Sequence, residues 1–240
     1  MNNRFVFIMP AYNASKTIAR SILSVWFQTH PNWKIIIRDD MSTDDTCQIV
    51  DNLRKSLNLS EDRISIKQNT EKKWEVANIL DMLQECESTD IICRLDADDW
   101  LSDCDALTII NERYNTLKVD VLWTAHRWSW TNQNISSALP KDANPYIHPW
   151  VSSHLKTFKK HLIENVDDKN FRGEDGEYFK RIGDQAIYLP VLHESKGNWH
   201  FEPITAYHYT IKLNPETFQS DDAKFQKSEA EYLRSRGFVS

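Results

Sequence analysis

Three carboxylates follow directly after a short apolar run near the middle of the chain. The run covers residues 91–95, and the carboxylates belong to Asp96, Asp98 and Asp99. Such a concentration of like charge needs a counter-charge, and clustered carboxylate oxygens are ligands that suit Mg²⁺ or Mn²⁺. The carboxyl end of a strand is also the place where open α/β sheets hold their ligands. These residues therefore predict a cation-assisted binding site at the end of a strand.

Two earlier apolar runs also end in distinctive polar groups. Pro10 and Tyr12 follow the first run, and Asp39 and Asp40 follow the second. In a parallel sheet the carboxyl ends of the strands share one edge. We therefore expect these residues to converge with the aspartate cluster.

The elements that must position these residues alternate between strand and helix signals. The predicted strands of the first half lie at residues 5–9, 33–37, 63–67 and 91–95. Four helices are predicted between and after them. They run from a Ser15 cap to residue 27, from cap residues 42–45 to about residue 57, from about residue 73 to residue 87, and from residue 105 to residue 117. This alternation predicts an α/β fold with a parallel sheet.

The second half of the chain is less regular. A strand at 119–124 continues into an aromatic stretch, and residues 131–149 form a long polar, Pro-rich loop. Apolar spacing at Leu155, Phe158 and Leu162 predicts a helix from Ser152 to Val166. Three more elements are predicted towards the end: a helix capped by Asp184 that runs toward Gly197, a strand at 201–210, and a polar helix from about Pro215.

Composition and charge limit the function classes. The 240 residues are 40% hydrophobic and 27% charged, which is typical of one large domain or one domain with appendages. The net charge of −6 excludes a global basic field for nucleic acid, although a local basic strip at Lys156, Lys159, Lys160 and His161 leaves that possibility open. No apolar run reaches 18 residues and no signal peptide is recognisable, so a cytoplasmic location is expected.

Two residue types admit more than one interpretation. The four cysteines form no C-x-x-C pair, and we interpret them as reduced packing residues. Five of the nine tryptophans lie in the second half, where they either pack in the core or form a flat wall for a sugar or a base. The five are Trp123, Trp128, Trp130, Trp150 and Trp199.

Three segments in order resemble the nucleotide-sugar domain of family 2 glycosyltransferases. The segments are residues 7–13, 35–46 and 94–101, and the resemblance covers roughly residues 4–102. It implies a GT-A type fold, which is a Rossmann-like, mostly parallel sheet flanked by helices. The soluble, non-processive subgroup of the family is implied as well. It also implies a donor-binding half at 1–122, an acceptor-binding and catalytic half of the same domain at 123–212, and a helical tail at 213–240.

The resemblance implies roles for individual residues. Tyr12 and Asp39 match positions that hold the nucleotide base, usually uracil, and a ring to stack on and a carboxylate to accept an imide N–H suit that base. Pro10 and Asn78 are expected among the donor-binding residues as well. Asp96 matches the carboxylate that faces the ribose, and Asp98 matches the ligand of Mn²⁺ or Mg²⁺. Asp99 is the neighbour of that ligand.

The third family motif is degraded in this sequence. Within residues 69–78 only Asn78 clearly survives, and the usual Arg is missing. Lys72 or Lys73 is the substitute we expect to supply a positive charge to the donor phosphates. His208, on the last predicted strand, is either a late metal ligand or diphosphate contact, or a packed, hydrogen-bonded histidine.

An inverting sugar transfer needs a carboxylate that takes the proton from the acceptor hydroxyl. Two candidates exist. Asp175 belongs to a Glu-Asp pair that looks like the family's pair, but it lies too far upstream of the Tyr-rich strand; Asp184 fits that spacing and precedes Gln-Ala, as in a soluble subgroup of the family. We favour Asp184, which the sequence also allows to be a plain helix N-cap.

The favoured hypothesis is a metal-dependent inverting glycosyltransferase that uses a nucleotide sugar, with UDP as the expected nucleotide. Alternatives are a non-catalytic nucleotide- or carbohydrate-binding protein on the same scaffold and a two-carboxylate glycoside hydrolase. The acceptor stays open among a glycan, a lipid-linked precursor, a protein and hydroxymethylated bases of phage-type DNA. The oligomeric state is also open.

Overall fold

The computed structural model describes residues 1–211 and 220–240. The strands are β1 Phe5–Ala11, β2 Trp33–Asp39, β3 Ile64–Gln68, β4 Ile91–Arg94, β5 Trp100–Leu101, β6 Val121–Trp128, β7 Lys156–Lys159 and β8 Trp199–Tyr209. The α-helices are α1 Ile18–Trp26, α2 Thr46–Ser56, α3 Trp74–Leu83, α4 Ala106–Leu117, α5 His161–Glu164, α6 Gly183–Glu194 and α7 Asp221–Arg236. A 3₁₀ turn covers Asp168–Phe171.

All eight strands form one sheet in the order β3-β2-β1-β4-β7-β6-β8-β5. β1 pairs in parallel with both β2 and β4, and β3 extends this parallel part at one edge. β7 is antiparallel to β4 and β6, and β5 is antiparallel to β8, whereas β6 and β8 pair in parallel. The predicted mostly parallel α/β sheet is therefore confirmed.

Apolar residues cover both faces of the sheet. Along β1, Val6 and Ile8 pack into one core with α3 and α6, whereas Phe5 and Phe7 pack into a second core with α1, α2 and α4. This two-sided burial explains why β1, β2 and β4 appear in the sequence as continuous apolar runs. Apart from Lys34 near the start of β2, their polar residues lie at the carboxyl ends, where the sheet edge is open.

The helix predicted from Ser152 to Val166 is wrong. Lys156–Lys159 is a strand, β7, inserted between β4 and β6, and only His161–Glu164 is helical. Phe158 and Leu155 are buried on opposite cores, as the alternation of a strand requires. The apolar spacing that favoured a helix arises from a strand joined to a single helical turn.

Smaller corrections concern the helix ends and the cysteines. The first helix begins at Ile18 with Thr17 at the N-cap, so Ser15 does not cap it, and α3 ends at Leu83 instead of Glu87. All four cysteines are free, and Cys93 is buried as expected, but Cys104 is exposed and is not a packing residue.

The C-terminal region agrees with the sequence in part. The helix predicted from about Pro215 is α7, although residues 212–219 lie outside the described residues. The division of the chain near residue 122 falls inside β6 and stays a prediction. Across residues 1–211 and 220–240, no helix has both the length and the apolar character needed to cross a lipid bilayer.

Candidate active site

A polar cavity of about 810 Å³ opens at the carboxyl ends of β1, β2 and β4. The structure brings five of the predicted site residues together on its lining: Pro10, Tyr12, Asn78, Asp96 and Asp98. Its volume is in the range of small-molecule and cofactor sites. We call it the donor cavity, because these are the residues that the sequence assigned to the donor.

Asp39 lies behind the lining of the donor cavity. Its side chain is fully buried, and its Oδ1 accepts hydrogen bonds from the Ser42 N–H at 2.8 Å and from Gln68 Nε2 at 3.0 Å. Its Oδ2 is buried and has no hydrogen-bond partner among the residues that the structure describes. A buried carboxylate oxygen without a donor is costly, but a ligand N–H in the donor cavity reaches this atom only if the lining in front of it moves aside.

Asp40 holds the segment that replaces the degraded motif. Its carboxylate accepts hydrogen bonds from the backbone N–H groups of Lys73 at 2.8 Å and Trp74 at 3.0 Å, and from Asn69 Nδ2 at 2.8 Å. Burial opposes ionisation of Asp40, but the hydrogen bonds from Lys73 and the neighbouring amides outweigh it and lower the pKa of Asp40. The carboxylate therefore stays charged and fixes this segment beside the cavity.

Lys72 is the cation that the segment presents to the donor cavity. Its Nζ lies 3.2 Å from the ring centroid of Tyr12, which is about half exposed, and 3.4 Å from Asp40 Oδ2. Lys73 is absent from the lining of this cavity. Of the two lysines that the sequence offered, the structure thus brings Lys72 to the site.

Asp96 is part of an ion-pair cluster around the buried Arg94. Arg94, at the end of β4, contacts both Asp96 and Glu75, and Glu75 Oε2 accepts a hydrogen bond from the Gly183 N–H at 3.2 Å. Burial raises the pKa of Glu75, and the charges of Asp96 and Asp184 add to this effect against the opposing charge of Arg94. The cluster links the donor cavity to the first turn of α6.

The two aspartates after Asp96 differ in surroundings. Asp98 is half-buried and lines the donor cavity. Asp99 is buried, where its carboxylate accepts hydrogen bonds from the Tyr207 hydroxyl and from the Thr210 N–H, both at 2.7 Å. Asp99 therefore anchors the end of β8 to the loop of residues 96–99 that follows β4.

A second cavity of about 430 Å³ adjoins the first. Both cavities share Glu75, Asp96, Arg181, Tyr209 and Gln226, and the second is also lined by Asp184. Asp184 lies in the first turn of α6, whose N-cap residue is Ile182, and its side chain makes no cap hydrogen bond. The N-cap interpretation of Asp184 is therefore wrong, and we call this second space the Asp184 cavity.

The carboxylate of Asp184 is paired with a buried lysine. Lys156 Nζ lies 2.9 Å from Asp184 Oδ1 and 3.1 Å from His154 Nδ1. Burial opposes ionisation of Asp184, but the charges of Lys156 and Arg94 outweigh it, so the pKa of Asp184 lies well below its usual range. His154 packs between the rings of Tyr207 and Tyr209, and burial lowers its pKa well below the usual value, so the ring is neutral.

Two predicted candidates do not reach either cavity. Asp175 is exposed in a turn, where its Oδ1 accepts a hydrogen bond from the Glu177 N–H at 3.0 Å, and it lines neither the donor nor the Asp184 cavity. His208 stacks on Trp100 with ring centroids 4.6 Å apart, and it is likewise missing from both linings. Burial and the nearby arginines lower the pKa of His208. The ring is packed, as one alternative expected, but its buried Nδ1 has no hydrogen-bond partner among the described residues, so the hydrogen-bonded part of that alternative is wrong.

The basic strip is not an exposed surface. Lys156 and Lys160 are buried, and Lys156 forms an ion pair with Asp184 on the wall of the Asp184 cavity. The strip's lysines are paired with Asp184 at 2.9 Å, Asp120 at 2.8 Å and Glu164 at 3.1 Å. The sequence argument for a nucleic-acid contact at this strip is therefore wrong.

Comparison with protein families agrees with this geometry. The family model described as "Glycosyl transferase family 2" matches residues 6–160, which is more than half of the chain. The chain belongs to glycosyl transferase family 2. The match spans the donor cavity's strands and ends after β7, so Asp184 and α7 lie beyond it.

Curated relatives in family 2 share the first part of this chain. It is 37% identical over 92 residues to the "Putative glycosyltransferase EpsE" of Bacillus subtilis, covering 38% of this chain and 32% of the relative. It is 38% identical over 96 residues to the "UDP-Glc:alpha-D-GlcNAc-diphosphoundecaprenol beta-1,3-glucosyltransferase WfgD" of Escherichia coli, covering 40% of this chain and 35% of the relative. The aligned part spans about a third of each relative's length.

Solved structures confirm the fold. Residues 1–349 of S. aureus TarS in complex with UDP match with a TM-score of 0.66 and 19% identity, over 94% of this chain and 65% of that one. The mannosyltransferase PcManGT from Pyrobaculum calidifontis, in complex with GDP-Man and Mn²⁺, matches with a TM-score of 0.67 and 15% identity, over 99% and 65%. The predicted GT-A type architecture is thus shared with glycosyltransferases of known structure.

Sequence reasoning missed three residues of this family 2 site. These are Arg94, which contacts Asp96, Lys156, which contacts Asp184, and Glu75, which contacts Arg94 and the Gly183 N–H. A signal existed for Arg94, because a cation inside an apolar run needs a carboxylate partner. Gly183 also matters, since a Cβ at that position would lie 2.3 Å from Glu75 Cδ.

Proposed function

We propose that this protein transfers a sugar from a UDP-sugar to a hydroxyl group of an acceptor, with inversion at the anomeric carbon. The observation that carries the proposal is the meeting of two cavities at Asp96 and Glu75, with Asp184 on the wall of the second. A displacement of this kind needs the donor on one side of the reacting carbon and a proton acceptor on the other. The two cavities supply these two sides.

The donor cavity suits a nucleoside diphosphate. Tyr12 offers a ring face to the base, and the unpartnered Oδ2 of Asp39 suits an imide N–H of uracil. Asp96 is the candidate contact for the ribose, with Asn78 on the same lining. Lys72 Nζ lies over the ring of Tyr12, and the donor phosphates would attract this positive charge towards them.

A divalent cation fits this site through Asp98. Within residues 1–211 and 220–240 no three His, Cys, Asp or Glu side chains form a metal cage. Asp98 lines the donor cavity, and its carboxylate together with the donor phosphates suits Mg²⁺ or Mn²⁺, a mode that Mg²⁺ commonly adopts. When bound, the cation would neutralise the charge that develops on the departing diphosphate.

Asp184 is the proposed general base. The acceptor hydroxyl gives its proton to the Asp184 carboxylate, and its oxygen forms a bond to the anomeric carbon. The bond between that carbon and the diphosphate oxygen breaks, and the nucleoside diphosphate leaves with the electron pair. Lys156 holds Asp184 in place and ionised before the reaction, which makes it a positioning residue.

A thermal-shift screen of nucleotides and nucleotide sugars, with Mn²⁺ and with EDTA, tests this proposal. We expect UDP to raise the melting temperature only with Mn²⁺, and one UDP-sugar to raise it further, because a ligand that binds only the folded state stabilises it. GDP and GDP-mannose are the matched controls, because a neighbour in the fold holds GDP-Man. No shift with any nucleotide, with or without Mn²⁺, contradicts the proposal.

A further inference from the structure

The outer wall of the Asp184 cavity is built by α7. Four residues of this helix lie on the lining: Ala223, Gln226, Lys227 and Ala230. The helix is far beyond residue 160, where the family match ends. This wall is therefore a feature that the family motifs do not describe.

Specific contacts fix α7 against the rest of the cavity. Glu229 accepts hydrogen bonds from the backbone N–H groups of Lys180 and Arg181, both at 2.8 Å. Gln226 Nε2 donates to the Arg181 carbonyl at 3.0 Å, and the Arg181 guanidinium pairs with Asp222 at 2.7 Å. The first half of the helix is thus docked on residues 180–181, which lead into α6, and Arg234 and Arg236 fix its second half.

Two neutral amide side chains, those of Gln185 and Gln226, lie on the lining of this cavity. Gln226 uses its Nε2 for the Arg181 carbonyl, and Gln185 uses its Oε1 to accept from Arg234 at 3.2 Å. Within the described part of the chain, Gln226 Oε1 and Gln185 Nε2 have no hydrogen-bond partner. One acceptor and one donor are therefore left for a ligand, which is the complement of a pair of sugar hydroxyls.

An aromatic side chain completes the lining. Trp150 is half-buried, lines the cavity and packs edge-on against Tyr188 with ring centroids 6.3 Å apart. Its position is fixed by the core, so it offers a rigid apolar surface beside the two amides. An aromatic surface with a few placed polar groups is the usual composition of a small-ligand site.

The charges in the cavity are unfavourable for an anion. Glu75, Asp96 and Asp184 contribute three carboxylates to the lining. The two cations, Arg181 and Lys227, are already paired, with Asp222 at 2.7 Å and with Glu231 at 3.7 Å. Arg94 and Lys156 already pair with these carboxylates from behind the lining, so the described residues leave no unpaired cation here for a phosphate or carboxylate, whereas a neutral polyol needs none.

We propose that the Asp184 cavity is the acceptor site and that it selects an uncharged pyranose unit, with Trp150, Gln185 and Gln226 as its recognition groups. The inference rests on the proposed function, because it places the acceptor hydroxyl beside Asp184. A cavity of about 430 Å³ is large enough for a small ligand of this class. The reacting unit of the acceptor is thus a neutral sugar, whatever carries that sugar.

Saturation-transfer NMR with methyl glycosides tests the inference without turnover. The neutral probes are the methyl pyranosides of glucose, galactose, mannose and N-acetylglucosamine, and the anionic probes are methyl glucuronide and glycerol phosphate, each with and without UDP and Mn²⁺. We expect saturation transfer to at least one neutral pyranoside and none to the anionic probes. Binding of the anionic probes alone, or of no probe at all, overturns the inference.

Variants assign the binding to this cavity. Gln185→Ala and Trp150→Phe, which line the Asp184 cavity but not the donor cavity, should each weaken pyranoside binding about tenfold, the effect of losing one to two hydrogen bonds or a ring contact, and leave UDP affinity unchanged. Lys224→Ala, on α7 but outside the lining, is the control. Equal loss in the control, or a loss of UDP affinity in the two variants, contradicts the assignment. Failure of the proposed function would instead appear as a lack of nucleotide binding in the unmodified protein.

Discussion

Lys156 Nζ lies 2.9 Å from Asp184 Oδ1, and the lysine side chain is only 2% exposed. Lys156 belongs to β7 in the middle of the sheet, and Asp184 belongs to the first turn of α6. The ion pair therefore joins the sheet to the helix and aims the carboxylate at the cavity. A buried cation in this place needs its partner, because an isolated charge there would be costly.

Replacing Lys156 by Met should move the acid limb of the activity profile to higher pH. The pKa of Asp184 is depressed in the folded protein. Its ion pair therefore stabilises the fold fully above the unfolded-state pKa of about 3.9. The ionised carboxylate and this stabilisation are lost as the pH falls through the folded-state pKa. Without Lys156 the folded-state pKa of Asp184 rises. Sugar transfer measured as kcat against pH checks the shift.

Lys159→Met is the matched control for this experiment. Lys159 is in the same strand, but it pairs with Asp120 at 2.8 Å and lines neither cavity. We expect its pH profile to overlay that of the unmodified enzyme. A Lys156→Met profile that also overlays it would show that the lysine does not tune Asp184.

Asp98 and Asp99 should give opposite phenotypes when replaced. Asp98→Asn should abolish the Mn²⁺-dependent part of UDP binding with little effect on stability, because Asp98 lines the cavity. Asp99→Ala should lower the free energy of unfolding by about 1–3 kcal/mol, because the buried Tyr207 hydroxyl and Thr210 N–H lose their acceptor. Calorimetric titration and urea unfolding measure the two effects. The reverse pattern would assign the cation to Asp99.

Lys72 should contribute to the binding of the donor's phosphates and not to the binding of its base. Lys72→Met should weaken UDP binding about tenfold, roughly the effect of one charge-assisted hydrogen bond, and leave uridine binding nearly unchanged. Isothermal titration of the two ligands checks this. Lys73→Met is the control, since Lys73 is absent from the donor lining. An equal loss for uridine would mean that Lys72 acts through the ring of Tyr12.

Local sequence signals were sufficient for the donor half of the fold. Buried parallel strands such as Phe5–Ala11 are continuous apolar runs, and their polar ends mark the open edge of the sheet. The convergence of Tyr12, Asp96 and Asp98 follows from that topology. No long-range information is needed for this part.

The second half could not be predicted in the same way. β7 is central in the sheet, yet its place between β4 and β6 depends on contacts with strands 30 or more positions away. Lys156 looked like part of a solvated strip because its partner, Asp184, is remote in sequence. The role of α7 in the wall of a cavity depends likewise on tertiary contacts such as that of Glu229 with the Arg181 N–H.

Comparison of Asp184→Asn with Asp175→Asn tests the central claim most directly. The measured quantity is kcat for release of nucleoside diphosphate from the donor in the presence of an acceptor, with UDP affinity determined in parallel. We predict a 10²- to 10⁴-fold loss of kcat in Asp184→Asn, the usual contribution of a general base, with UDP affinity retained. Asp175→Asn should match the unmodified enzyme, because Asp175 is exposed and distant from both linings. Full activity in Asp184→Asn together with a loss in Asp175→Asn would contradict the account.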